Sequence, residues 1–144
     1  MSDVLTLSQI RMPGTARSKD DAIRETGELL VDAGAVEPAY IDSMFDRERS
    51  VSTYMGNYLA IPHGTNESKE TIKRSALSVV RYTEPIDWDG NQVLFALGIA
   101  GYQGGHMDIL SRIAIVFSDT DEVDKLVAAG SAQEIYDLLN AVNE

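Results

Sequence analysis

Hydrophobic and polar residues along this chain follow the periods of strands and helices. From Ala76 to Tyr82, two sets of residues alternate with period two, which is typical of a strand. The stretch Val93–Ala100 is continuously apolar, which predicts a core strand covered on both faces, as in the middle of an α/β sheet. A further apolar run, Tyr58–Ile61, leads into Pro62 and predicts another strand that stops there.

Apolar residues at helical spacing predict helices between and after these strands. Ser18 is the predicted N-cap of the first helix and Gly34 ends it, while Pro38 fits the first turn of the second. Ser131–Glu134 forms a capping box for the last helix. The other predicted helices are a polar one at Glu67–Lys73, an apolar one at Met107–Phe117 and one at Asp119–Ala129 with an apolar inward face. The pattern predicts one α/β domain over residues 1–144, with helices on both faces of the sheet.

Some stretches show neither period and predict irregular structure. Ser50–Gly56 is predicted to be a loop. Glu84-Pro85 and Asp89–Asn91 carry turn residues and bracket a short excursion after the strand that ends at Tyr82. The sequence contains no repeat and no interdomain linker.

Charge and composition limit the possible partners. The 144 residues include 23 acidic and 12 basic side chains, which give a net charge of −11. Such a chain lacks the basic surface that binds nucleic acid and would be repelled by an anionic bilayer. The longest apolar run, Val93–Ala100, is too short to cross a membrane, and Met1–Ile10 lacks the pattern of a signal peptide. Because cysteine is also absent, we expect a soluble cytoplasmic protein without disulfides.

The segment Tyr58–Thr65 carries the most suggestive chemistry. Pro62 ends the strand, and His63 follows at its end. Gly64 frees the backbone to turn, so we expect an uncrowded imidazole that can react with an incoming partner. The alternative is a histidine that merely terminates a strand.

The chain has two histidines, His63 and His106, and each lies where an apolar strand gives way to a loop. If the two strands are parallel neighbours, both residues emerge at the carboxyl edge of the sheet, where ligands of open α/β sheets usually bind. Two imidazoles can bind a metal, perform acid–base chemistry or carry a covalent group. A metal site usually needs a third protein ligand, and no spacing typical of ligands is present. No serine or carboxylate is marked as an acid–base partner.

A covalent group on a histidine nitrogen is usually a phosphoryl group. The nucleophile is then a neutral ring whose other nitrogen has its proton held by an acceptor. A fixed cation should stabilise the dianionic product, and Arg47 or Arg49 is a candidate. The alternative for both arginines is a solvated helix face, paired with Asp46 or Glu48.

Several segments form a recognisable combination. They occur in this order: Val36–Tyr40, Met44–Glu48, Thr53–Gly56 and Ala60–Thr65, followed by Leu97–Ala100 and His106. Together they resemble the IIA component of the mannitol/fructose branch of the sugar phosphotransferase system. The resemblance runs from about Ile10 to the C-terminus, and the Glu-Pro-x-Tyr and Asp-Arg-Glu segments are most similar to the mannitol-specific subgroup.

This resemblance implies a fold and a set of roles. The fold would be a mixed, mostly parallel sheet of about five strands with helices on both faces. His63 would accept a phosphoryl group from the phosphocarrier protein HPr and pass it to a cysteine of the IIB component, for uptake of the sugar through IIC. His106 would donate a hydrogen bond to the phosphoryl group, and Arg47 would compensate its charge. No cofactor is implied beyond the covalent phosphoryl group.

Two other functions stay open. The first is a regulatory module of the same fold, such as the nitrogen-related IIA proteins, although such regulators tend to lack the pair of Arg47 and His106. The second is an α/β interaction domain whose histidines are incidental. In the carrier, exclusion of water on docking favours an apolar rim around His63. The candidate rim residues are Met55, Tyr58, Tyr102 and Met107.

Overall fold

The protein is organised around a mixed sheet of five strands. The computed structural model describes residues 4–65, 70–102 and 105–143, except for the side chains of His106 and Ala141. The strands are β1 (Ile10–Arg11), β2 (Tyr54–Gly56), β3 (Leu59–Ala60), β4 (Ala76–Trp88) and β5 (Asn91–Ala100). Their order in the sheet is β1-β4-β5-β3-β2. The β1–β4 and β3–β5 pairs are parallel, and the β4–β5 and β2–β3 pairs are antiparallel. The mixed five-stranded sheet is therefore confirmed.

Helices cover both faces of this sheet, as the sequence predicts. The helices are α1 (Lys19–Asp32), α2 (Ala39–Ser50), α3 (His106–Phe117), α4 (Thr120–Ala128) and α5 (Ala132–Leu139). Helices α1 and α2 pack on one face against alternate residues of β4 that include Val80 and Tyr82. Helices α3, α4 and α5 pack on the other face, against the intervening residues Leu77 and Val79. The period-two pattern of this strand is therefore confirmed.

The predicted helix ends agree with the structure. The hydroxyl of Ser18 accepts a hydrogen bond from the backbone N–H of Asp21, and Gly34 has the left-handed φ of +73° that glycine tolerates. The hydroxyl of Ser131 likewise accepts from the backbone N–H of Glu134. Local side-chain chemistry was sufficient to place these ends.

Three of the predicted elements differ from the structure, wholly or in part. Strand β4 runs past the predicted end at Tyr82 and continues to Trp88, beyond a register shift that accommodates Pro85. The predicted loop Ser50–Gly56 contains β2. Of the predicted polar helix, residues 67–69 lie outside the described residues, residues 70–71 form 3-10 helix, and Ile72 forms an antiparallel bridge instead of continuing the helix.

The long strands β4 and β5 form a hairpin that fixes the rest of the sheet. Its two turn residues, Asp89 and Gly90, have φ values of +55° and +93°, the combination that matches the twist of a two-residue hairpin. Strand β3 then pairs in parallel with β5. The condition for His63 and His106 to follow parallel neighbouring strands is therefore met.

Candidate functional site

His63 lies just beyond the carboxyl end of β3. Its backbone forms a parallel bridge with Ile99 of β5, and the N–H of Ile99 donates to the carbonyl of Pro62 at 3.0 Å. This pairing holds the turn after β3 against the strand beside it.

The imidazole of His63 has a defined hydrogen bond. Its Nδ1 lies 2.7 Å from the carbonyl oxygen of Ile61, which can only accept. In the neutral ring the proton is therefore on Nδ1, and the lone pair is on Nε2. The N–H of Ile61 in turn donates to the carbonyl of Thr53 at 3.1 Å, so the acceptor of His63 is itself held in place.

The prediction of an uncrowded imidazole at this position is wrong. Only 8% of His63 is exposed, because the residue packs between the turn, β5 and α2. Burial, the largest cause, lowers the pKa of His63, and the positive charge of Arg47 lowers it further. The hydrogen bond to Ile61 and the charge of Glu48 act in the opposite direction without reversing the shift. The ring is therefore neutral near pH 7, which is the protonation state that a nucleophile needs.

Tyr40 of α2 fastens the turn that carries His63. Its buried hydroxyl donates to the carbonyl of Ile99 at 2.7 Å and accepts from the N–H of Gly64 at 2.8 Å. Burial raises the pKa of Tyr40 to about 12, so the hydroxyl keeps its proton. One side chain thus joins α2, the end of β5 and the peptide after His63.

The two candidate cations differ in their surroundings. Arg47 is half-buried at the C-terminal end of α2, where its Nη1 donates to the carbonyl of Val51 at 2.7 Å, and its charge acts on His63. Arg49 is exposed and pairs with Asp46 on the helix surface. Of the two arginines, Arg47 is therefore the one whose charge acts on the histidine, while the surface-pair alternative applies to Arg49.

Glu48 is buried, so it is not the partner of an arginine on a solvated helix face. The residue is 6% exposed and accepts hydrogen bonds from Trp88 Nε1 at 3.2 Å, from the backbone N–H of Thr53 at 3.0 Å and from the hydroxyl of Thr53. The ammonium of Lys19 lies 3.4 Å from its Oε2. Glu48 lies in the Asp-Arg-Glu segment and Tyr40 in the Glu-Pro-x-Tyr segment. The sequence alone assigned neither residue a role in the site.

His106 is the first residue of α3, the helix that follows β5. Since β5 and β3 are parallel neighbours, the chain leaves both strands at the same edge of the sheet. The side chain of His106 lies outside the described residues.

All four candidate rim residues are exposed. Met55, Tyr58, Tyr102 and Met107 have between 41% and 65% of their surface accessible. Of these residues, Met55 lines an apolar cleft of about 260 Å³ between the β2–β3 turn and α3, and the lining also includes Ile61, two residues before His63. Such a surface can exclude water when another protein docks.

The site lacks the donors of a metal centre in the described part of the chain. Among those residues, no group of three histidine, cysteine or carboxylate side chains is placed to hold an ion. In the same described residues, no helix has the length and apolarity to span a membrane. What the geometry offers is a neutral imidazole with a fixed tautomer, a nearby guanidinium and an apolar approach surface.

Comparison with known proteins gives consistent matches along the chain. The mannitol-specific phosphotransferase enzyme IIA component of Halalkalibacterium halodurans is 50% identical over 141 residues, covering 98% of this chain and 97% of that protein. The corresponding component of Geobacillus stearothermophilus is 43% identical and covers 97% of each chain.

Solved structures agree with these matches. The enzyme IIAMTL of Escherichia coli, in its complex with phosphorylated enzyme IIBMTL, superimposes with a TM-score of 0.89 at 29% identity, over 95% of this chain and 97% of that one. The nitrogen regulatory protein IIA-Ntr of Neisseria meningitidis gives a TM-score of 0.77 at 27% identity, over 94% and 96% of the two chains.

A family model extends the agreement over residues 3–142. The chain therefore belongs to the EIIA 2 family of the phosphoenolpyruvate-dependent sugar phosphotransferase system.

Proposed function

We propose that this protein is the phosphoryl carrier of a mannitol uptake system and that His63 carries the phosphoryl group. The group arrives from the histidine of the phosphocarrier HPr and leaves to a cysteine of the IIB component. The single observation that supports His63 most strongly is its hydrogen bond of 2.7 Å to the carbonyl of Ile61, which directs the ring's lone pair to Nε2.

The transfer itself requires little covalent chemistry from the protein. The lone pair of Nε2 forms a bond to phosphorus while the bond from phosphorus to the nitrogen of HPr breaks, and the electrons of that bond stay with the HPr imidazole. In the second step a thiolate of IIB attacks the phosphorus, and the electron pair returns to Nε2 of His63. In-line positioning and charge neutralisation supply most of the catalysis in such transfers.

Arg47 and His106 are the proposed stabilisers of the phosphoryl group. The guanidinium of Arg47 already acts electrostatically on His63 and would offset the charge of the phosphorylated state. A hydrogen bond from His106, at the start of α3, would add a second donor. One cation and one imidazole suit a carrier, because an intermediate that is stabilised too strongly would not be passed on.

The proposed partners follow from this role. HPr and IIB would dock on the apolar surface around the cleft beside Ile61, and IIB would connect the carrier to the membrane permease IIC. The protein would act in the cytoplasm, with the covalent phosphoryl group on His63 as its only prosthetic chemistry. Neither nucleic acid nor direct insertion into a membrane has a part in the proposal, in line with the net charge of −11.

Mannitol is the proposed substrate of the complete system. The relatives at 43% to 50% identity are mannitol-specific components. A nitrogen-type regulator is the second candidate, because IIA-Ntr shares the fold at a TM-score of 0.77. The higher identity to mannitol components favours the carrier.

The decisive assay is phosphorylation followed by onward transfer. The protein is incubated with enzyme I, HPr and labelled phosphoenolpyruvate, and then with mannitol-type and fructose-type IIB acceptors in parallel. We expect an acid-labile, base-stable label that passes to the mannitol-type IIB. His63→Ala should abolish labelling, and His106→Ala should accept the group but pass it on slowly.

Two results would contradict the proposal. An acid-stable label would indicate hydroxyl chemistry in place of histidine. A normal label that no IIB accepts would favour the regulatory function.

A further inference from the structure

A continuous path of hydrogen bonds leads from the reactive histidine into the interior of the protein. Nδ1 of His63 donates to the carbonyl of Ile61 at 2.7 Å, and the N–H of Ile61 donates to the carbonyl of Thr53 at 3.1 Å. The N–H of Thr53 donates to the carboxylate of Glu48 at 3.0 Å, and its hydroxyl donates to the same carboxylate. The acceptor that selects the tautomer of His63 is thus anchored at a buried charge.

Glu48 is held in place from several elements. Trp88 of β4, which is fully buried, donates its Nε1–H to the carboxylate at 3.2 Å. Lys19 of α1 places its ammonium 3.4 Å from Oε2, and the same ammonium bonds Asp89 of the β4–β5 turn at 2.8 Å. Because a buried carboxylate with several donors keeps one geometry, Glu48 can fix the position of Thr53.

We propose that Glu48 is a positioning residue for phosphoryl transfer: through Thr53 and Ile61 it fixes the tautomer and orientation of His63. The inference rests on the proposed function in so far as His63 is the phosphoryl acceptor. Glu48 does not touch the phosphoryl group. It lies next to Arg47 on α2, so one helix end supplies both the stabilising cation and the anchor of the histidine.

The charges around His63 determine whether its pKa rises or falls when a neighbouring charge is removed. From α2, Arg47 lowers and Glu48 raises the pKa of His63, and the hydroxyl of Tyr40 stays neutral. Lys19 partly compensates Glu48 from α1, and Asp89 faces Lys19. Neutralising Glu48 should therefore lower the pKa of His63, whereas removing Lys19 should raise it. The side chain of His106 is the same in all variants, so its influence cancels in the comparison.

The chain contains a matched control for a purely structural role. Glu25 is also buried, at 4% exposure, and also holds a loop by accepting from the N–H and hydroxyl of Thr15, together with Arg11 and Tyr82. Its carboxylate has no place in the path described above. Glu25→Gln should cost stability as Glu48→Gln does, without changing the chemistry of His63.

The test is an NMR titration of His63 in the unphosphorylated full-length protein, with 15N-labelled imidazole nitrogens. We expect Glu48→Gln to lower the pKa of His63 and to reduce the population of the tautomer protonated on Nδ1. Lys19→Met should raise that pKa, and Glu25→Gln should leave both quantities at the wild-type values. Phosphorylation of Glu48→Gln by phosphorylated HPr should be slower by up to about 100-fold, because a misplacement of about 1 Å at a reacting group can cost that much.

The outcomes separate this inference from the proposed function. If Glu48→Gln and Glu25→Gln give the same pKa and tautomer for His63, Glu48 is a structural residue and the inference is wrong. Should Glu48→Gln fail to fold, Thr53→Val removes the hydroxyl that donates to the same carboxylate, and an unchanged tautomer population of His63 in that variant overturns the inference equally. Failure of the wild-type protein to accept a phosphoryl group would instead contradict the proposed function, because the titration does not depend on transfer.

Discussion

At the scale of single residues, the proposed site combines a buried imidazole with a limited amount of charge. Burial keeps the imidazole of His63 neutral, and the carbonyl of Ile61 decides which nitrogen holds the proton. In the proposed transfer, the charge of Arg47 opposes protonation of the free ring and would favour the dianionic phosphoryl group. The same cation would thus assist both the free and the phosphorylated state.

The contribution of Arg47 to phosphorylation can be measured by removing its side chain. Arg47→Ala should slow phosphorylation of His63 by an amount equivalent to about 1.5–3 kcal/mol, the usual contribution of a hydrogen bond to a charged group. Stopped-flow or quench-flow transfer from phosphorylated HPr measures it. Arg49→Ala is the matched control, because Arg49 is two residues away on the same helix and pairs with Asp46 at the surface. Equal rates for the two variants would show that Arg47 has no role in the transfer.

At the scale of elements, the position of His63 depends on a short strand and on a helix distant in sequence. Strand β3 is only Leu59–Ala60, since Pro62 cannot extend the ladder. Its two pairs with β5 and the bridge at His63 are reinforced by Tyr40 of α2. The turn is thus secured from both sides.

Removal of the Tyr40 hydroxyl tests this arrangement. Tyr40→Phe leaves the carbonyl of Ile99 and the N–H of Gly64 without their present partner, and each buried polar group left unpaired costs about 1–3 kcal/mol. We expect a lower free energy of unfolding in urea and slower phosphorylation of His63. Tyr136→Phe, in α5 on the opposite face of the sheet, is the control. Equal stability of the two variants would refute the role assigned to Tyr40.

The sequence predicted the parts of the site that local chemistry determines. The strand stop at Pro62, the following histidine and the cap at Ser18 depend on a few neighbouring residues. The burial of Glu48 does not depend on neighbouring residues, because its partners Trp88 and Lys19 are 40 and 29 positions away in the sequence. Acidic residues are also usually at the surface. The end of the predicted helix Glu67–Lys73 is wrong for the same reason: Ile72 bridges Val36, a contact that local helix propensity cannot reveal.

At the scale of the whole molecule, the fold separates a buried core from the sheet edge that carries the proposed site. The hairpin of β4 and β5 and the two helical layers form the buried core. His63 follows the end of β3, and α3 begins after the end of β5. The exposed Met55 lies beside them in β2, which pairs with β3. A carrier needs this division, since two different proteins must reach the same imidazole in turn while the core stays unchanged.

The position of the phosphoryl group tests the central claim most directly. The protein is phosphorylated with phosphoenolpyruvate, enzyme I and HPr, and a long-range 1H–15N NMR spectrum then identifies the modified nitrogen. We expect the phosphoryl group on Nε2 of His63, with the proton of Nδ1 still hydrogen-bonded to the carbonyl of Ile61. A phosphoryl group on Nδ1 of His63, or on any other residue, would contradict the account.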